Sequence, residues 1–194
     1  MKPSSDSRAV YLRVAAARFA ADGYHGTSLA AVARDAKVTK QALLHFFGTK
    51  KRLYAAVLAD LAERLCAAVE ASRCADPAAH LLRYFRDMRS AAMRDSEDVR
   101  LVIRALLDSN PQARVWPLRP YLDRLTELAG RSRGGQAMSE DEIRARIFQV
   151  FGAIQYVAIS TPTISGMYGP GTVEAMADLF DGILAEALRA FVGD

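Results

Sequence analysis

The residues best suited to chemistry cluster early in the chain. In the segment TSLAAVARDAKVTKQALLHFFGTKKRL, Lys40, Gln41, Leu44 and His45 fall at i, i+1, i+4 and i+5, while Val38, Ala42, Leu43 and Phe47 take the intervening positions. On a helix of about 3.6 residues per turn the first set shares one basic, polar face and the second faces a core. Such a short helix suits insertion into a DNA major groove, its N-terminal side chains meeting base edges. Gln41 matches adenine, and Lys40 matches guanine or a phosphate. A second cluster follows at once, where Thr49 precedes Lys50, Lys51 and Arg52. Cations at a helix start oppose the macrodipole, an arrangement that makes sense when an anion such as a backbone phosphate sits on the free N–H groups. Thr27 and Ser28 offer hydroxyls and N–H groups of the same kind.

The elements that must position these residues read as all-α. Strand-like alternation is almost absent, and apolar spacings of three and four recur throughout. A first helix is predicted from Ser7 to Asp22, carrying Leu12, Ala15, Ala16 and Phe19 inward and ending at Gly23. Thr27 is expected to cap a second helix, Thr39 a third after a tight turn over Ala36 to Thr39, and Thr49 a long fourth reaching past Cys66. Asp76 and Pro77 open a helix to about Arg94, Ser96 caps another to Ser109, and a helical repeat resumes near Tyr121. Ser139 and Glu142 form a capping box ahead of a helix over Ile143 to Ser160, TPTISGMYGPG reads as irregular, and a last helix follows Thr172. The expectation is about nine helices in two domains: a three-helix helix-turn-helix domain over 1–54 and a helical ligand-binding and dimerisation domain over 55–194.

Charge divides along the same line. Residues 1–54 hold ten Lys and Arg against three Asp, a net +7, and the remainder carries −3 of the chain's +4. A basic module on a mildly acidic body points to a polyanion partner, double-stranded DNA, for the first part alone.

Other classes find little support. The three histidines lack ligand spacing, so no metal or cofactor is expected. No Ser/His/Asp, Cys/His or paired-carboxylate arrangement supports an enzyme, and Glu140, Asp141 and Glu142 stand where a helix N-terminus favours acids anyway. Cys66 and Cys74, eight residues apart on a helix, are separated by roughly 12 Å and do not pair there. The polar start and the lack of a run of about 18 apolar residues read as a cytoplasmic protein with no membrane partner.

In the C-terminal part, Met88, Trp116, Tyr121, Phe148, Phe151, Gln155 and Tyr156 are candidates to line a largely apolar pocket for a small-molecule effector. Core packing accounts for most of them equally well. The last two helices carry more apolar surface than one core contact needs, which fits a homodimer interface.

Residues from about Arg8 to Val57 resemble the DNA-binding domain of the tetracycline-repressor (TetR) family. The landmarks are Leu12, Ala15 and Phe19 ahead of Gly23, then Thr27-Ser28, Val32-Ala33, Val38-Thr39, Leu43, His45, Phe47, Lys50 and Leu53. The resemblance implies a homodimer built through the last two helices, a palindromic operator, repression, and often a small-molecule effector. It places Thr27, Thr39, Lys40, Gln41, His45 and Lys50 near DNA. Two positions depart from the family pattern. Leu44 replaces a tyrosine usual in the recognition helix, which favours contact with a thymine methyl over a phosphate hydrogen bond. Lys37 replaces a turn glycine, which costs about 1 kcal/mol if φ is positive there but adds a cation near DNA. The competing readings are a DNA-binding regulator without a small-molecule ligand and, more remotely, a helical enzyme.

Overall fold

A computed structural model describes residues 5–108 and 117–193. Among them the chain forms nine α-helices and no strand: α1 (Ser5–Gly26), α2 (Leu29–Asp35), α3 (Lys40–Phe47), α4 (Lys50–Ala71), α5 (Pro77–Arg94), α6 (Glu97–Leu107), α7 (Arg119–Gly130), α8 (Glu140–Tyr168) and α9 (Pro170–Val192), with one 3-10 turn over Gly135–Ala137. They group into two compact units, one of residues 1–64 and 97–119, the other of 65–96 and 120–194. The boundary read at 54/55 falls inside α4.

In the first unit, α1 supplies the central apolar stripe. Leu12, Ala15, Ala16 and Phe19 are buried as their spacing requires, and α1 packs chiefly on α6 and then on α2. Phe19 meets Tyr54 of α4 edge-on at 4.8 Å, and Tyr24 lies 5.2 Å from the same ring. Gly23 interrupts α1 with φ 71° and ψ 178°, a backbone state open to glycine at little cost. Arg104 of α6 donates to the Ala21 carbonyl at 2.7 Å beside this break.

In the second unit, α8 and α9 form an antiparallel pair against which α5 packs. Tyr84, Phe85, Tyr121 and Phe151 make its aromatic core, with Tyr121 stacked on Phe151 at 5.9 Å and the Tyr84 and Tyr121 hydroxyls 2.5 Å apart. Sharing a hydrogen bond lets both phenols be buried without a lost partner. Burial raises both above the usual phenol range, so both stay protonated at neutral pH. Arg89 of α5 is 9% exposed, ion-pairs with Asp181 of α9 and lies over the Phe180 ring at 5.5 Å. The Ser139–Glu142 capping box and the Asp76 cap of α5 form as their sequences predict.

Two expectations about the elements are overturned. TPTISGMYGPG is largely helical: α8 runs through Pro162 to Tyr168 and breaks at Gly169, φ 87°. Pro162 is exposed and deprives only the Ala158 carbonyl of its donor, while the Thr161 hydroxyl donates to the adjacent Val157 carbonyl at 2.7 Å. α2 is capped by Ser28, whose Oγ accepts from the Ala31 N–H at 3.0 Å, and not by Thr27.

The loop over 131–139 is held by backbone approach. The Gly134 N–H donates to the Val192 carbonyl at 2.7 Å, and a Cβ added at Gly135 would lie 1.9 Å from the Ala129 carbonyl oxygen. Backbone and not a flexible side chain meets the new atom, so the loop must shift. Gly135→Ala is expected to destabilise by about 1–3 kcal/mol, lowering Tm by roughly 2–12 °C at this chain length. An unchanged thermal melt would show that the loop yields freely.

Candidate nucleic-acid interface

The two short helices α2 and α3 are joined by residues 36–39, and the joint is a complete Schellman motif. The Val38 N–H donates to the Ala33 carbonyl at 2.9 Å and the Lys37 N–H to the Arg34 carbonyl at 3.1 Å. This motif puts its C′ residue in the left-handed region, and Lys37 is there with φ 55°. Glycine is usual at such a position; here a lysine bears the strain and stays exposed. Lys37→Gly is therefore expected to raise stability by up to about 1 kcal/mol while removing a cation. Calorimetry should register a small rise in Tm, and DNA titrations a weaker salt dependence if Lys37 touches phosphate. A fall in Tm would place the strain elsewhere.

Thr39 starts α3, its Oγ1 accepting from the Ala42 N–H at 3.1 Å. Leu43 and Phe47 are buried, and the residues on the other side keep the predicted phase: Lys40, Gln41 and His45 exposed, Leu44 partly covered. Phe46, half-buried, packs edge-on against Tyr11 of α1 at 5.0 Å and so ties α3 to the first helix. The exposed face combines an ammonium, an amide and an imidazole, with Leu44 as its apolar member.

The outlying candidates separate. Ser28 is exposed, but its oxygen is engaged in the α2 cap. Thr27 is 2% exposed, and its hydroxyl donates inward to the Gly23 carbonyl at 2.8 Å. The Thr27 hydroxyl is thus out of reach of a phosphate, because the turn at Gly23 folds it under α1.

Lys50 is half-buried: its Nζ sits over the Tyr24 ring at 4.5 Å and donates to the His25 carbonyl at 3.4 Å. Burial lowers its pKa and the Asp108 carboxylate opposes that shift. The exposed cations at the start of α4 are Lys51 and Arg52, behind a Thr49 Oγ1 that accepts the Arg52 N–H at 3.1 Å. Lys51 and Arg52 are thus open to solvent where Lys50 is covered, and the KKR run was the sequence signal for them. Arg18 ion-pairs with Asp35, joining α1 to the end of α2 and holding that carboxyl below its usual range.

The pocket candidates in the second unit also divide. Tyr121 and Phe151 are buried in the aromatic core, and Met88 and Gln155 are half-buried. Trp116 lies outside the described residues. Phe148 and Tyr156 are corrected: at 54% and 66% exposure they point away from the interior. On α8 Tyr156 lies opposite Ile147, Val150, Phe151 and Ile154, which face the core, and Phe148 lies to one side of them. They share their exposure with Met167, Tyr168, Met176, Leu179 and Ile183, all from α8 and α9. By length and composition α8 is apolar enough to cross a membrane, yet it starts with three acidic residues and buries one face on α5 and α9.

Comparison with known proteins follows the same division. Residues 12–57 match the family model "Bacterial regulatory proteins, tetR family". No curated protein matches the chain. Among solved structures, a TetR-like transcriptional regulator from Rhodococcus sp. RHA1 is similar over the whole of both chains with 23% identity and a TM-score of 0.67. The fatty acid degradation regulator FadR from Bacillus halodurans aligns over 99% of this chain and 97% of its own, at 17% identity and a TM-score of 0.73. FadR from Bacillus subtilis, solved in complex with stearoyl-CoA, aligns over 95% and 97% at 16% identity and a TM-score of 0.66. These likenesses establish a common fold.

Proposed function

We propose, from the match of residues 12–57 to the tetR family of bacterial regulatory proteins, that the chain is a cytoplasmic, homodimeric repressor of that family, which binds a palindromic operator through the helix-turn-helix of those residues and releases it when a small, largely apolar effector binds its C-terminal domain. The observation that carries this reading is the exposed face of α3, where Lys40, Gln41 and His45 stand out from a base of buried Leu43 and Phe47. In this reading residues 1–54 bind DNA, residues 55–194 regulate and dimerise, and the protein is a regulator and not an enzyme.

Dimerisation uses the outward face of α8 and α9. Seven large apolar side chains from these two helices are exposed in one chain, more than scattered surface residues explain. A second copy covers them and sets the two recognition helices about one DNA turn, roughly 34 Å, apart or at a related spacing. The apolar effector is supported by the aromatic content of the second unit, around Tyr84, Phe85, Tyr121 and Phe151, and by the stearoyl-CoA bound to the Bacillus subtilis relative. An effector acts only through its different affinity for the DNA-competent and incompetent states, so induction is a population shift.

Selection of bound duplexes from a random pool tests the proposal. The expected product is a palindrome with half-sites about one turn apart. Enrichment of a single asymmetric half-site would refute dimeric recognition, and no enrichment would refute specific DNA binding.

A further inference from the structure

Beyond the recognition helix and the apolar effector, the second unit contains a cleft of different chemistry. Its volume is about 500 Å³, and it opens where α4 ends, α5 begins and α7 ends. That volume is in the range of small-molecule sites. Its walls are largely polar: Glu70 and Arg73 line it from the end of α4, Arg124, Glu127 and Arg131 from α7 and its end, with His80 among the lining residues.

The arginines are held in a particular way. Glu70 is shared by two guanidiniums, its Oε2 lying 3.1 Å from Arg73 Nη2 and its Oε1 2.9 Å from Arg124 Nη2. One carboxylate therefore orients two cations and neutralises one of them. Each guanidinium has five N–H donors, most of which these contacts leave available. Arg131 makes no ion pair among the described residues. His80 is 7% exposed and fixed, its Nε2 lying 2.7 Å from the Val69 carbonyl. The carbonyl ends of α4 and α7, just before Arg73 and Arg131, favour cations there but supply only about half a charge each. Three guanidiniums, two of them oriented by Glu70 and all with N–H donors to spare, thus line a ligand-sized cleft.

We propose that this cleft binds a compact metabolite bearing two or more oxyanion charges, phosphate or carboxylate, gripped by Arg73, Arg124 and Arg131. Arginine forks fit either oxyanion with paired hydrogen bonds. Titration calorimetry on the full chain would use pyrophosphate and citrate as separate probes, each against sodium chloride of matched ionic strength. At least one probe is expected to bind saturably below about 1 mM, the preferred probe identifying the phosphate or carboxylate source. R131Q is expected to weaken that binding at least tenfold with no change in Tm, because its guanidinium has no ion pair to lose among the described residues. E70Q, which frees two guanidiniums, is expected to tighten it. K51Q is expected to retain it, since Lys51 lies on the basic face of the other unit. Absence of saturable binding, parental affinity in R131Q, or loss of binding in K51Q would each overturn the proposal, the last by placing the anion on the DNA-binding face.

Discussion

Ile183→Asp is expected to convert the dimer to monomers and to lower operator affinity by about 10²–10⁴-fold. The size of the effect comes from linkage, because the second half-site of a palindrome is filled intramolecularly once the first is bound. Its effective concentration vanishes when the protein is a monomer. Ile183 is 65% exposed and Leu179, one turn earlier on α9, 67% exposed. Within one chain, then, an aspartate at position 183 stays in water and should alter stability by no more than about 0.5 kcal/mol. Across a dimer interface the same carboxylate is buried against the partner's apolar face without a cation to pair with it, which costs several kcal/mol. Sedimentation should report a monomer, mobility shifts should show a weak, unsaturated complex, and circular dichroism should show an unaltered helix content. A variant that stays dimeric and binds operator like the parent would remove the α8–α9 face from the proposal.

The parts of this fold that were legible from sequence are those decided within one helical turn. The Ser139–Glu142 box, the Asp76–Pro77 start and the Thr39 cap each depend on a side chain bonding to backbone three residues away, and the break at Gly23 on a backbone state open to glycine. The phase of α3 was equally local, since Leu43 and Phe47 define its inner face and leave Lys40, Gln41 and His45 outside. What could not be read depends on packing partners distant in sequence. Thr27 and Ser28 are both able to cap, and the bond from the Thr27 hydroxyl to the Arg18 carbonyl, nine residues back across the Gly23 break, decides between them. Lys50 reads as a free cation until Tyr24 is placed beneath its ammonium. In α8 the periodicity gave two apolar faces, but only its neighbours α5 and α9 determine that Phe151 is core while Phe148 and Tyr156 face outward. Proline and glycine in TPTISGMYGPG argued for a loop, and contact with α9 overrode that preference.

The second large effect separates base reading from phosphate contact on the recognition face. Gln41 stands at the second position of α3, exposed, one residue beyond Lys40 and two beyond the Thr39 cap. Under the proposed function, an amide there would make a bidentate pair with one adenine, worth about 1–3 kcal/mol of discrimination against other bases. Gln41→Ala should therefore lower affinity for the selected operator by roughly 5–150-fold while leaving an operator altered at that one base pair almost unaffected. Lys51, exposed at the start of α4, contributes charge and no base edge. Lys51→Ala should weaken every duplex in similar proportion and reduce the slope of log K against log salt by about 0.9, the release of one counterion. Binding isotherms for both variants on parent and altered operators, at several salt concentrations, distinguish the two roles. If Gln41→Ala weakens all sequences equally and preserves base preference, Gln41 is a backbone contact and specificity passes to Lys40, Leu44 and His45.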